Sequence, residues 1–244
     1  MIFRKAEPLL FEHVPKCAGT SVSHYLKQNY NAEEIFELNG GRPSESIAAF
    51  QRYSEADRTR FRLILGHGAH QLWSLVSPLT IGMTILRNPV DRIVSHYYFV
   101  LASPKHYLHE QVVTRRMSLS DYATSGISGE LRNNYVCRFL QITPEEAERE
   151  PDSSVENAYS RLKAQYAVIG ILEQLNQTMN TVRRIARLRG RWKNEQRNVN
   201  KRRRLKDEIT SDERTVISEI NALDVRLYER IAADLEHQSL QLGS

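Results

Sequence analysis

Leu9–Leu26, LLFEHVPKCAGTSVSHYL, decides the fold. Leu9, Leu10, Phe11 and Val14 form an apolar run of strand length, and Pro15 stops it. Gly19 supplies a position that tolerates unusual backbone angles and the close approach of a ligand. Thr20 and Ser21 suit a helix N-terminus, and Val22, Tyr25 and Leu26 give that helix an apolar face. Strand, tight loop and helix in this order make a P-loop-like phosphate-binding loop. The amides of Ala18, Gly19, Thr20 and Ser21 lie at the helix N-terminus with the macrodipole behind them, Lys16 adds a point charge, and Thr20 and Ser21 add hydroxyls. The loop is not a Walker A sequence, which carries its lysine after the last glycine; here Lys16 precedes Gly19. An ordinary strand–turn–helix with a solvated lysine is the plainer alternative.

Outward from this stretch, further strands are each followed by chemistry. Residues 62–66, RLILG, read as a buried strand that runs into GHGAH, so His67 and His70 fall just past its carboxyl end. Residues 80–87, TIGMTILR, read as the next strand, with Arg87 at its end. Asn88 then caps a helix and Pro89 takes its first position. In open α/β sheets ligands sit outside the carboxyl ends of the strands, where these residues are. Residues 166–172, YAVIGIL, are the last clear strand, and 173–186 its helix. Residues 46–55 read as a short helix, 103–129 as a polar helical insertion with Ser118 as a cap, and Thr210-x-x-Glu213 as a capping box that opens the terminal helices. The expected fold class is α/β: a single domain over residues 1–244, with a central four- to five-stranded parallel sheet flanked by helices.

The 244 residues are 41% hydrophobic and 26% charged, ordinary values for a globular protein. No apolar stretch approaches the length of a membrane span, and the N-terminus lacks the layout of a signal peptide because its short apolar segment runs straight into the loop. Cys17 and Cys137 do not make a disulfide framework, so a reducing, cytoplasmic setting is expected. Cys17 also lies beside helix-terminal amides and Lys16, a setting that favours a reactive thiolate. The net charge of +5 is uneven. Residues 183–206 hold twelve Lys/Arg and one acid, Glu195, a local +11; the rest of the chain has 22 basic and 28 acidic residues, a net −6. The partner of that stretch is therefore expected to be anionic.

Two motifs carry a family resemblance. PKCAGTS preceded by His13 resembles the 5′-phosphosulfate loop of sulfotransferases of the carbohydrate branch, H-x-P-K-[TS]-[GA]-G-T-[ST]; His13, Pro15, Lys16, Gly19, Thr20 and Ser21 match, and Cys17 departs from the usual Thr or Ser. RNPVDRIVSHYY, residues 87–98, resembles that family's 3′-phosphate motif, R-x-P-x-x-R-x-x-S-x-Y. The later segments NYVCRFL and N-x-x-D-x-x-LY (Asn221, Asp224, Leu227, Tyr228) are similar to the family's N-x-Q-T-R-x-L and to its ending, although Val136 and Cys137 replace the Gln and Thr. The resemblance implies a sulfotransferase that moves a sulfuryl group from 3′-phosphoadenosine 5′-phosphosulfate (PAPS) to an acceptor hydroxyl, leaving PAP. It implies that Lys16, Ala18, Gly19, Thr20 and Ser21 hold the 5′-phosphate. Lys16 would also stabilise the leaving oxygen, and Arg87 and Ser95 would bind the 3′-phosphate. His67 would be the catalytic base, with His70 in reserve, and Lys201 and Arg202 would close over the donor. A guanidinium fork suits a phosphate on chemical grounds alone; Ser95 rests on the resemblance, and Arg92 reads equally as structural. The expected acceptor is a saccharide, with no metal and no nucleic acid.

Two other classes compete. A P-loop kinase or NTPase wants Mg²⁺ held partly by an Asp at a strand end, but the strands here end in His67 and Arg87, and the nearest acid, Asp91, is already inside a helix. A nucleic-acid-binding protein would use residues 183–206, where Trp192 is the one aromatic side chain available for base stacking.

Overall fold

The computed structural model describes residues 5–193 and 209–242, and the chain divides into two compact units, residues 1–86 with 163–197 and residues 87–162 with 198–244. The first unit holds a five-stranded parallel sheet of order β2-β3-β1-β4-β5. The strands are β1 (Leu9–Glu12), β2 (Ile35–Glu37), β3 (Leu63–Gly66), β4 (Ile81–Leu86) and β5 (Val168–Ile171). β1 and β3 are buried along their whole length, which is why they read as continuous apolar runs rather than as alternating ones. The α/β class and parallel sheet expected from the sequence are those found.

β1 lies at the centre, and its register sets its last residue, Glu12, level with Gly66, the last residue of β3, and with Thr84, two residues before the end of β4. From β1 the chain next builds β2 and β3 on one side of it, whereas from β4 it goes on to β5 on the other. That reversal puts the topological switch point at the carboxyl ends of β1 and β4. Helix α1 (Gly19–Lys27) follows β1 and buries Val22, Tyr25 and Leu26, the face read from the sequence. The Leu175–Ile185 helix packs on β5 so closely that a Cβ at Gly170 would fall 2.2 Å from Thr178.

The second unit is helical. Its central element is the Pro89–Ala102 helix, whose N-cap Asn88 accepts from the amides of Val90 (3.1 Å) and Asp91 (3.2 Å), a device worth about 1 kcal/mol. Ile93, Val94 and Val100 of that helix join Leu108, Val112, Leu119, Tyr122, Leu131 and Ile217 in one apolar core. Ser118 opens the Leu119–Thr124 helix with a capping box, and Thr210 does the same for Ser211–Ile220, both as read from the sequence. A long helix, Ala222–Leu242, follows. Among the described residues no helix is long and apolar enough to cross a membrane.

Candidate active site

The loop after β1 is built differently from its sequence reading. Gly19 does not have a left-handed backbone; that conformation falls on Lys16 (φ 67°) and Ala18 (φ 61°), two residues that carry a Cβ. Such positions cost free energy and mark a backbone held by its surroundings. What needs a glycine at position 19 is packing: a Cβ there would lie 1.6 Å from Nε2 of His13. The first bond of the α1 ladder runs from Val22 N–H to Ala18 O (3.2 Å), so the amides of residues 18–21 lie ahead of the ladder, at the positive end of the helix dipole. Gly19 is buried, Thr20 exposed, and Lys16, Ala18 and Ser21 are half-buried. Cys17 is 1% exposed and its thiol points to the carbonyl of Pro15 at 3.6 Å. This burial removes the access that the reactive-thiol expectation requires.

His13 connects the loop to the histidines after β3. Its ring stacks on that of His67 with centroids 4.2 Å apart and planes 29° apart, and on that of Phe11 with centroids 5.8 Å apart. His67 Nδ1 sits 2.6 Å from the carbonyl oxygen of His13. A carbonyl can only accept, so Nδ1 carries the hydrogen and the lone pair of the neutral imidazole resides on Nε2. Gly40 lies against the same ring: a Cβ there would come within 2.9 Å of Cδ2.

His70 is held otherwise. It is 8% exposed, and its backbone N–H (2.8 Å) and Nδ1 (3.1 Å) both reach Oε2 of Glu12, a fully buried carboxylate at the end of β1. The other oxygen of Glu12 accepts from Gly68 N–H at 3.3 Å. Glu12 thus satisfies its buried charge by tying the GHGAH loop to β1. Among the described residues there is no group of three or more His, Cys, Asp or Glu that could hold a metal.

In the second unit, Arg87 and Ser95 are half-buried at the start of, and two turns into, the stretch that resembles the 3′-phosphate motif. The phenol of Tyr135 donates to Arg87 O (2.7 Å) and accepts from Arg87 N–H (3.2 Å). Arg92 is fully buried, donates from Nη2 to the Glu130 carbonyl (2.8 Å) and lies over the Tyr135 ring at 5.4 Å, so it serves as a structural group. Two helix starts cap each other nearby. Asp224 accepts from the amides of Tyr135 and Val136, while Asn133 Oδ1 accepts from those of Leu223 and Asp224.

Burial pushes the Asp224 carboxyl up to about 6, although Arg92 and the two amides oppose the shift. A folded-state value above the unfolded one adds stability that is fully present below about pH 4 and lost as the pH rises through about 6. Asp224→Asn removes this titration. Thermal melts of both proteins from pH 4.5 to 7 are expected to shift against the wild type by on the order of 2 kcal/mol as the pH rises. A difference that is flat over that range would show that the carboxyl titrates normally.

Lys201 and Arg202 lie outside the described residues, as do the other residues of the basic stretch from 194 to 206. The described part of the basic stretch is anchored to α1 and the residues just after it: Tyr25 donates to Gly190 O (2.7 Å), and Arg189 N–H donates to Asn29 Oδ1 (2.7 Å).

A family model described as "Sulfotransferase family" matches residues 1–229. The chain belongs to the sulfotransferase family. A solved structure titled as a sulfotransferase from Alicyclobacillus acidocaldarius is similar, at 15% identity over 93% of this chain and 96% of that chain, with a TM-score of 0.44. Comparison with curated proteins returned no match. Three of the side chains described above in this sulfotransferase were not singled out from the sequence. Glu12 read as part of a strand and Tyr135 as part of a weak match. His13, read as a motif position, had no role assigned. The motif's H-x-P-K spacing was a signal for His13; nothing local signals Glu12 or Tyr135, whose partners are 58 and 48 residues away.

Proposed function

We propose that this sulfotransferase takes its sulfuryl group from PAPS and delivers it to a hydroxyl of a saccharide. The observation that carries the reading is the His13 stack: one side chain packs on Gly19 of the phosphate loop and on the ring of His67, whose tautomer leaves the lone pair on Nε2. A loop for the 5′-phosphate and a base for the acceptor are thereby mounted on one post. The acceptor oxygen forms its bond to sulfur as the bond from sulfur to the bridging oxygen of the 5′-phosphosulfate breaks. The hydroxyl proton passes to Nε2 of His67, and Lys16 stabilises the negative charge that grows on the bridging oxygen. Arg87 and Ser95 bind the 3′-phosphate, which separates PAPS from ATP. Lys201 and Arg202 close over the donor. His70 is the weaker base, because Glu12 and burial commit it to holding the loop.

Family membership favours sulfuryl over phosphoryl transfer. The anionic partner expected for residues 183–206 is then the donor or an acidic saccharide, and a reducing, cytoplasmic setting belongs to the same reading. The test is transfer of label from PAPS carrying a labelled sulfuryl group to a panel of neutral and acidic saccharides, without added metal. Label on a saccharide hydroxyl with stoichiometric PAP is expected. Label retained by PAPS with every saccharide but transferred to a phenol or a steroid would overturn the saccharide assignment.

A further inference from the structure

We propose that Tyr135 is a positioning residue for Arg87, setting the direction from which that guanidinium meets the donor's 3′-phosphate; this rests on the reading of Arg87 given above. A hydrogen bond to the N–H and another to the C=O of one residue fix the two peptide planes that flank its Cα, and with them the Cα–Cβ direction. The Tyr135 hydroxyl does both for Arg87, at 3.2 and 2.7 Å. A hydroxyl is needed, because it is the group that can accept from the amide and donate to the carbonyl at once.

Tyr135 is itself immobilised from three directions. Its side chain is fully buried. Its amide lies 2.9 Å from each oxygen of Asp224, whose own helix start is capped in return by Asn133. The guanidinium of Arg92 covers its ring, and among the described residues Nε and Nη1 of Arg92 have no hydrogen-bond partner, so the aromatic face is what that buried cation meets there. Asn221 completes the seat: it accepts from Asn133 N–H (3.1 Å) and donates to Leu131 O (3.1 Å). The N-x-x-D segment near the C-terminus therefore acts on the nucleotide site through Tyr135, without touching the nucleotide. Groups that must meet a ligand at a fixed angle are held in this way by packed, hydrogen-bonded supports.

The test is calorimetry with PAP and with adenosine 5′-phosphate (AMP), which lacks the 3′-phosphate. Wild-type protein is expected to prefer PAP. Tyr135→Phe is expected to lose about tenfold in PAP affinity while AMP affinity stays within about twofold, so that the preference falls. AMP binding reports that the fold and the 5′-phosphate loop persist. Should Tyr135→Phe not fold, Asp224→Asn, which keeps one acceptor for the Tyr135 amide, is expected to give a smaller loss of the same preference. A folded variant that keeps the wild-type preference, or one that loses both nucleotides equally, overturns the positioning role alone. Equal affinity of the wild type for PAP and AMP removes the reading of Arg87 and this proposal with it.

Discussion

His67→Ala is expected to lower turnover by about 10²–10⁴ while PAP affinity stays nearly unchanged, since general-base catalysis by a positioned side chain is typically worth that much. The expectation follows from how the ring is held. Its Nδ1–H is committed to the His13 carbonyl at 2.6 Å, so Nε2 is the atom that takes a proton. Its face is fixed by the His13 stack and by Gly40. These contacts are to His13 and Gly40 and not to residues 16–21, so removing the imidazole is expected to leave the loop after β1 in place. His70→Ala is expected to behave in the opposite way. It deprives the buried Glu12 carboxylate of one partner, which lowers stability, and it leaves activity per folded molecule largely intact. Assays of both variants with the same acceptor separate the two histidines: an active His67→Ala beside a dead His70→Ala would move the base to His70, and activity in both would remove histidine catalysis from this loop.

Lys16→Ala is expected to cost about 10²–10³ in turnover and much less in PAP affinity, the signature of an interaction that strengthens in the transition state. The substitution is clean for the backbone. Lys16 has φ 67°, and alanine, like lysine, carries a Cβ there, so the strain of the left-handed position is common to both. Single-turnover rates and PAP titrations on the same preparation check the split. A loss confined to binding would make Lys16 a phosphate clamp with no share in the chemistry.

The sheet's buried strands were legible because burial on both faces makes them continuous apolar runs, as in LLF and LILG. β2 was not: Ile35–Glu37 is three residues long and half-exposed at the sheet edge, so it shows neither alternation nor a run. The loop after β1 was found from its Lys, Gly and hydroxyl residues, but the reason for its glycine was misread, because a side chain six residues earlier fills the space that seemed to belong to a ligand. The clamp on Arg87 was invisible for a related reason. Tyr135 meets Arg87 across 48 positions and Asp224 across 89, and only the folded chain brings them together. Local propensity reports on caps such as Asn88 and Thr210, where donor and acceptor are neighbours in sequence.

The donor proposed for this sulfotransferase is a 3′-phosphorylated adenosine, PAPS. Calorimetry of PAP in the presence of a chelator, set against ATP with Mg²⁺, tests it most directly. The account predicts PAP binding at micromolar strength or better without metal, and ATP–Mg²⁺ binding much more weakly. Tight, Mg²⁺-dependent binding of ATP with no measurable binding of PAP would contradict it.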